Sequence, residues 1–173
     1  DSVAVGTRPH WSNTPLIRSA TDEQASATVS LGAGKRSTLL EARAFDFPEI
    51  PGDATIVALD ATIVRKKTPS NATHYVRDYA VRLIVNGATV PNSNRAKSEV
   101  DWKNIYEAPT YRWDVDGGSI AVTPADLNDD FTGVRLAIEN PATTGPVVGH
   151  VDYILLRASY FEACTPENTG EPD

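Results

Sequence analysis

A chain of 173 residues with a net charge of −7 and a pI near 4.9 is long enough to bury one substantial core and short for two. Its acidic balance argues against a nucleic-acid partner, which needs clustered Lys and Arg to neutralise phosphates, and no run approaches the ~18 apolar residues of a membrane span. The single Cys164 excludes an internal disulfide and, without a CxxC pair or Cys/His cluster, a zinc site; no cofactor or metal is expected.

The chain has no Met, so Asp1 is not expected to be the initiator position. Residues 1–24 read as an N-terminal arm: Pro9 and Pro15 interrupt isolated apolar residues that follow no period. Val3, Val5, Trp11, Leu16 and Ile17 are more apolar than a solvated linker requires, because each large side chain left in water forgoes roughly 1.5–3 kcal/mol. Two placements are open, a strap across its own domain or an arm docking on a neighbouring subunit. The second is carried as the expectation, with Trp11, Leu16 and Ile17 as its anchors.

A sandwich domain is predicted over 25–162. Ala25, Ala27, Val29 and Leu31 alternate with polar residues, as do Val57, Leu59, Ala61 and Ile63 before the basic run Arg65-Lys66-Lys67, read as a stop. Tyr79, Val81, Leu83 and Val85 form another inward row, closed by the turn dipeptide Asn86-Gly87. In Thr123-Pro124-Ala125-Asp126-Leu127 the Thr can cap, Pro suits the first helical position and Asp favours the positive end of the dipole, which predicts one short helical turn. Val134, Leu136 and Ile138 make a further strand. The last, Val151 to Phe161, carries apolar residues on both sides and suits a central position. Residues 163–173, polar and acidic, predict a flexible tail. Many short strands with turns between them and one small helix describe an all-β fold, a jelly-roll-like antiparallel β-sandwich.

No complete active site emerges. His10, His74 and His150 have no spacing that puts two on one face, there is no Gly-x-Ser-x-Gly elbow, and the carboxylates Glu41, Asp46, Asp60, Glu99 and Glu107 are too ordinary in a chain with 23 acids to mark a glycosidase. Asp114-Val-Asp116-Gly-Gly-Ser119 resembles the start of a calcium loop, but Asp-Gly-Gly is what a hairpin turn requires, and the turn is expected. Asn71-Ala-Thr73 fits the N-glycosylation pattern. Trp102, Tyr106, Tyr111 and Trp113 fall within twelve residues; Trp113 is expected in the core, and Trp102, Tyr106 and Tyr111 are candidate glycan contacts, since exposed aromatic rings stack on sugars. Asp152, between Val151 and Tyr153, is expected to be buried among polar partners.

From Phe45-Asp-Phe47-Pro-Glu-Ile50-Pro51-Gly52-Asp-Ala54-Thr55-Ile56, the chain continues through Arg77-Asp78-Tyr-Ala-Val81-Arg-Leu83, Trp102 and Trp113. It then runs through Thr123-Pro124-Ala125-Asp126-Leu127-Asn128 to Phe131-Thr132-Gly133-Val134, and ends at Val151-Asp152-Tyr-Ile154. In this order, over roughly 39–161, it resembles a jelly-roll-like sandwich module of tailed-phage virion proteins and some bacterial extracellular proteins. Thr132 before Gly133, and the lack of a Gly after Trp113, depart from that pattern. The resemblance implies attachment, decoration or recognition and carries over no catalytic residue. The expected function is a non-enzymatic virion structural protein, a capsid decoration or fibre-like subunit, homo-oligomeric and bound to a capsid or tail protein at the virion surface. The alternative is a secreted carbohydrate-binding module that contacts glycans.

Overall fold

A computed structural model describes residues 8–14, 26–69, 73–115, 120–142 and 145–162. The elements in chain order are β1 (Ala27–Leu31), β2 (Leu40–Arg43), β3 (Thr55–Thr68), β4 (Arg77–Val85), β5 (Ala88–Thr89), β6 (Thr110–Asp114), α1 (Pro124–Leu127), β7 (Gly133–Glu139) and β8 (Val147–Phe161). They form two four-stranded antiparallel sheets, ordered β1-β8-β3-β6 and β2-β7-β4-β5. This is the β-sandwich the alternation predicts, with β8 central in its sheet. Leu59, Ala61, Ile63, Val81, Leu83, Leu136, Ile138 and Trp113 are fully buried between the layers.

Local chemistry explains the element ends. Asn86 and Gly87 both have positive φ, 51° and 77°, so the β4–β5 hairpin closes on the dipeptide that tolerates this region. Thr123 accepts from the Asp126 amide and the Asp126 carboxylate accepts from the Thr123 amide, a complete capping box around Pro124. β2 stops at Arg43 because Ala44 lies at φ 56°. Phe45 and Phe47 therefore lie in no strand and pack against the core from an irregular segment.

Two corrections come from places where the period of two is broken, and a third from a place where it runs on. One extra residue on β4 between Asp78 and Ala80 rotates Tyr79 out of the predicted inward row, to 38% exposure. On β8 the extra residue is Asp152, so Val147, Gly149 and Val151 face the core before the bulge and Ile154 and Leu156 after it; Asp152 is itself buried, as expected. β3 does not stop at Arg65. Its inward row continues from Ile63 through Arg65 and Lys67, which are 1% and 5% exposed, because carboxylates from the opposite layer meet them.

The described part of the N-terminal arm lies on its own domain. Ser12 exchanges two backbone hydrogen bonds with Thr28 at 2.8 and 3.0 Å, the Thr38 amide donates to the Pro9 carbonyl at 2.9 Å, and the buried Trp11 donates from Nε1 to the Thr38 carbonyl at 3.1 Å. Residues 8–14 thus cover the open edge of β1, a protection that edge strands need. Trp11 is consequently a strap residue and not a docking anchor. Leu16 and Ile17 lie outside the described residues, as does the proposed tail.

Glycine spacing yields a test of sheet contact. A Cβ on Gly133 would stand 2.0 Å from the Ala42 carbonyl oxygen of the paired strand, whereas one on Gly149 would meet the tip of Ile138. Side-chain tips yield more readily than a hydrogen-bonded backbone. Gly149→Ala should cost about 1–3 kcal/mol and Gly133→Ala more than that, an order that urea unfolding of both variants would reveal.

Candidate functional site

The aromatic residues singled out from the sequence serve mainly to hold the two layers together. Asp78 of β4, fully buried, accepts from Trp102 Nε1 at 2.9 Å, from Tyr111 Oη at 2.6 Å, from the Lys97 amide at 3.0 Å and from the Arg65 guanidinium. Arg65 also donates to Glu107 at 3.2 Å and lies over the Trp102 ring, 4.7 Å from its centre. Burial, reinforced by the Asp78 charge, pushes the Tyr111 hydroxyl well above the ordinary tyrosine value, so it remains a proton donor. Trp102 and Tyr111 are 1% and 2% exposed. Neither ring can stack on a glycan, because each polar tip is engaged by Asp78 while its faces pack inside. Tyr106 alone of the three candidates is half-buried, and Lys66 sits 4.1 Å over its ring. Trp113 is in the core as expected, donating to the Ser93 carbonyl.

The segment after β2 builds a different site. β3 and β8 run 14 and 15 residues and pair as far as Thr55 and Phe161. Residues 44–50 lie near this end of β8, tied down by the Ala44 amide to the Asp130 carbonyl at 3.2 Å and Asn128 Nδ2 to the Ile50 carbonyl at 3.4 Å. Two cavities border this segment. One, of about 290 Å³, is lined by Phe47, Pro48, Ile50, Leu156, Ala158 and Tyr160, with Asp46 and Arg157 completing it. The other, of about 400 Å³, is more polar, lined by the acids Asp46, Glu49, Asp129 and Asp130 together with Phe45, Phe47 and Leu127. Asp46 and Phe47 belong to both. The first has the composition of a small-molecule site, an apolar and aromatic wall with a few polar groups, at the lower end of the usual range of about 300–1,000 Å³. Tyr160, 37% exposed, stands within it.

The other sequence candidates are dispersed. Glu41 is tied to Arg43 and Arg135, Asp60 to Arg112, and Glu107 to Arg65; Glu99 is exposed, and Asp46 lines both cavities described above. His10 is exposed and His74 uses its backbone carbonyl to accept from Lys67. His150 lies between Ser26 Oγ at 3.4 Å and Thr68 Oγ1 at 2.9 Å. Among the described residues no group of three His, Cys, Asp or Glu is arranged to hold a metal, and no helix is long and apolar enough to cross a membrane. Asp116 to Ser119 and Asn71 lie outside the described residues.

No protein-family model and no curated protein matches the chain. Among solved structures, one described as "CBM4 structure and function" is similar to it with a TM-score of 0.42 and 12% identity, over 79% of this chain and 86% of that one.

Two outcomes test these assignments. All four partners of Asp78 are donors, so Asp78→Asn offers one acceptor oxygen where two are needed and leaves Arg65 without its buried counter-charge. A loss of about 3–5 kcal/mol is expected, read by urea unfolding followed through tryptophan fluorescence. Burial, with Lys66 adding to it, holds His150 below its ordinary value. The folded state therefore takes up this proton at lower pH than the unfolded chain. The His150 contribution is complete above about pH 6.5 and declines as pH falls through the folded value. Thermal unfolding between pH 7.5 and 5 should show that decline, and His150→Gln should flatten it.

Proposed function

We propose that this chain is a non-catalytic glycan-binding β-sandwich module acting outside the cell, and that the cavity between residues 46–50 and the end of β8 receives a sugar ring. The observation that carries the reading is the pairing of Phe47 and Tyr160 with Asp46 around one space of about 290 Å³. A sugar presents an apolar C–H face and a rim of hydroxyls. Aromatic side chains suit the first, and a carboxylate acceptor suits the second. Asp46 is held in no ion pair among the described residues, so it remains available to a ligand.

This reading favours recognition over the virion-subunit expectation. That expectation drew on an arm with Trp11 as an outward anchor, and Trp11 is used internally. Glycan recognition draws instead on residues that the core leaves partly uncovered. The test is a glycan array followed by titration of any hit against Tyr160→Ala, Phe47→Ala and Asp46→Asn. Tyr160→Ala should weaken binding about tenfold, the equivalent of roughly 1.4 kcal/mol, with little change in melting temperature because the ring is already exposed. Trp102→Ala should unfold the protein or destabilise it severely. Binding that survives loss of both Phe47 and Tyr160 would remove the site from consideration.

A further inference from the structure

The outer face of the β2-β7-β4 layer carries a concentration of arginine unlike the chain as a whole. Strand register places Glu41 of β2 beside Arg135 of β7, and Arg135 beside Arg82 of β4; further along, Arg36 and Arg77 both lie opposite Glu139. With Arg43 at the end of β2, five arginines share this face with two glutamates. It is a local excess of three positive charges on a protein whose net charge is −7.

Folding alone does not account for this arrangement. Arg82 and Arg135 are directly opposed across β4 and β7, and like charges so placed destabilise a sheet. Arg135 is compensated by Glu41 at 2.6 Å, whereas Arg82 is exposed and has no ion pair among the described residues. Arg77 Nε is buried without a hydrogen-bond partner, a donor left unmatched. Between the two ionic rows lie the short side chains Ala80 and Ala137 and the half-exposed Tyr79, whose ring has the Arg36 guanidinium 3.8 Å above it. The face continues past Arg36 and Glu139 into a cavity of about 300 Å³ that adds Arg8 and Lys35.

We infer that this face binds an acidic polysaccharide, through carboxylate or sulfate groups held by Arg77, Arg82 and Arg135. Guanidinium groups match such anions with paired hydrogen bonds. The choice of polysaccharide over nucleic acid rests on the interspersed Glu41 and Glu139. These acceptors suit the hydroxyls that a sugar chain presents between its charges, and they repel a closely spaced phosphate backbone, as does the overall charge. The surface is separate from the Phe47–Tyr160 cavity and does not depend on it.

The test titrates the full chain, at low and at moderate salt, with polygalacturonate, heparin, a neutral glucan and duplex DNA. The first two separate carboxylate from sulfate as the recognised group. Binding of at least one of them is expected, at least tenfold weaker in Arg82→Glu and weakened also in Arg77→Gln, with melting temperatures within a few degrees of the parent. Arg112→Glu, the same charge change on the other sheet, and Tyr160→Ala in the sugar cavity should both leave this binding intact. The inference is overturned if neither acidic polymer binds at low salt, if DNA binds more tightly than both, or if Arg112→Glu weakens binding as much as Arg82→Glu. Loss of neutral-glycan binding in Tyr160→Ala with polyanion binding retained would show two sites, and a failure of either leaves the other standing.

Discussion

The sandwich depends on one buried ion pair. Arg65 belongs to β3 in one sheet and Asp78 to β4 in the other, so the contact spans the two layers. Removing both charges from water costs several kcal/mol per ion, which attraction repays only if the remaining hydrogen-bonding capacity is filled. It is filled here from every side, by Trp102, Tyr111, Glu107 and the Lys97 amide. The network therefore also fixes a long irregular stretch. Residues 97–107 are pulled onto the layers by Asp78 and Arg65, and again by Lys67 to Asp101, whose other oxygen accepts from the Val76 amide at 2.8 Å. A loop of this length without regular structure needs such anchors to remain ordered.

Much of the architecture was legible because it follows a period of two and familiar end signals. The alternation in Ala27–Leu31, Leu59–Ile63 and Val134–Ile138 placed strands correctly, and Asn86-Gly87 and Thr123-Pro124 fixed a turn and a cap. Two of the differences share a cause. A single inserted residue reverses every side chain beyond it, and nothing in the composition of Asp78-Tyr79-Ala80 or Val151-Asp152-Tyr153 announces the insertion. Arg65 and Lys67 differ for another reason. Their spacing continues the inward row from Ile63, but their charge argues against burial, and the compensating acids lie 13 and 34 residues away. The aromatic cluster illustrates the same limit, since the spacing of Trp102 and Tyr111 gives no indication that Asp78 will collect their polar tips.

Neither candidate site was legible as a site. The cavity of Phe47 and Tyr160 joins residues more than a hundred positions apart, where the irregular segment after β2 meets the end of β8. That meeting is a property of the fold and not of either segment. Phe45 and Phe47 alternate as strand residues do, but the positive φ of Ala44 turns the chain away before a strand can form. The arginine face is similarly distributed over four segments, and only register brings Arg82 and Arg135 side by side.

Both surfaces illustrate how function can be separated from stability in a sandwich. The interior assigns nearly every large aromatic and every deeply buried charge to a partner, which leaves little freedom for ligand contacts there. Recognition is then confined to positions the layers do not cover, namely the cavity at the end of β8 and the outer face of the β2-β7-β4 layer. On the outer face, an uncompensated Arg82 opposite Arg135 weakens the sheet by a few tenths of a kcal/mol to about 1 kcal/mol, a sum the core tolerates because the Arg65–Asp78 network is fully satisfied. A more neutral pair would stabilise the fold. That the costlier arrangement, Arg82 without an ion pair among the described residues opposite Arg135, is retained is the physical reason for assigning it to a ligand.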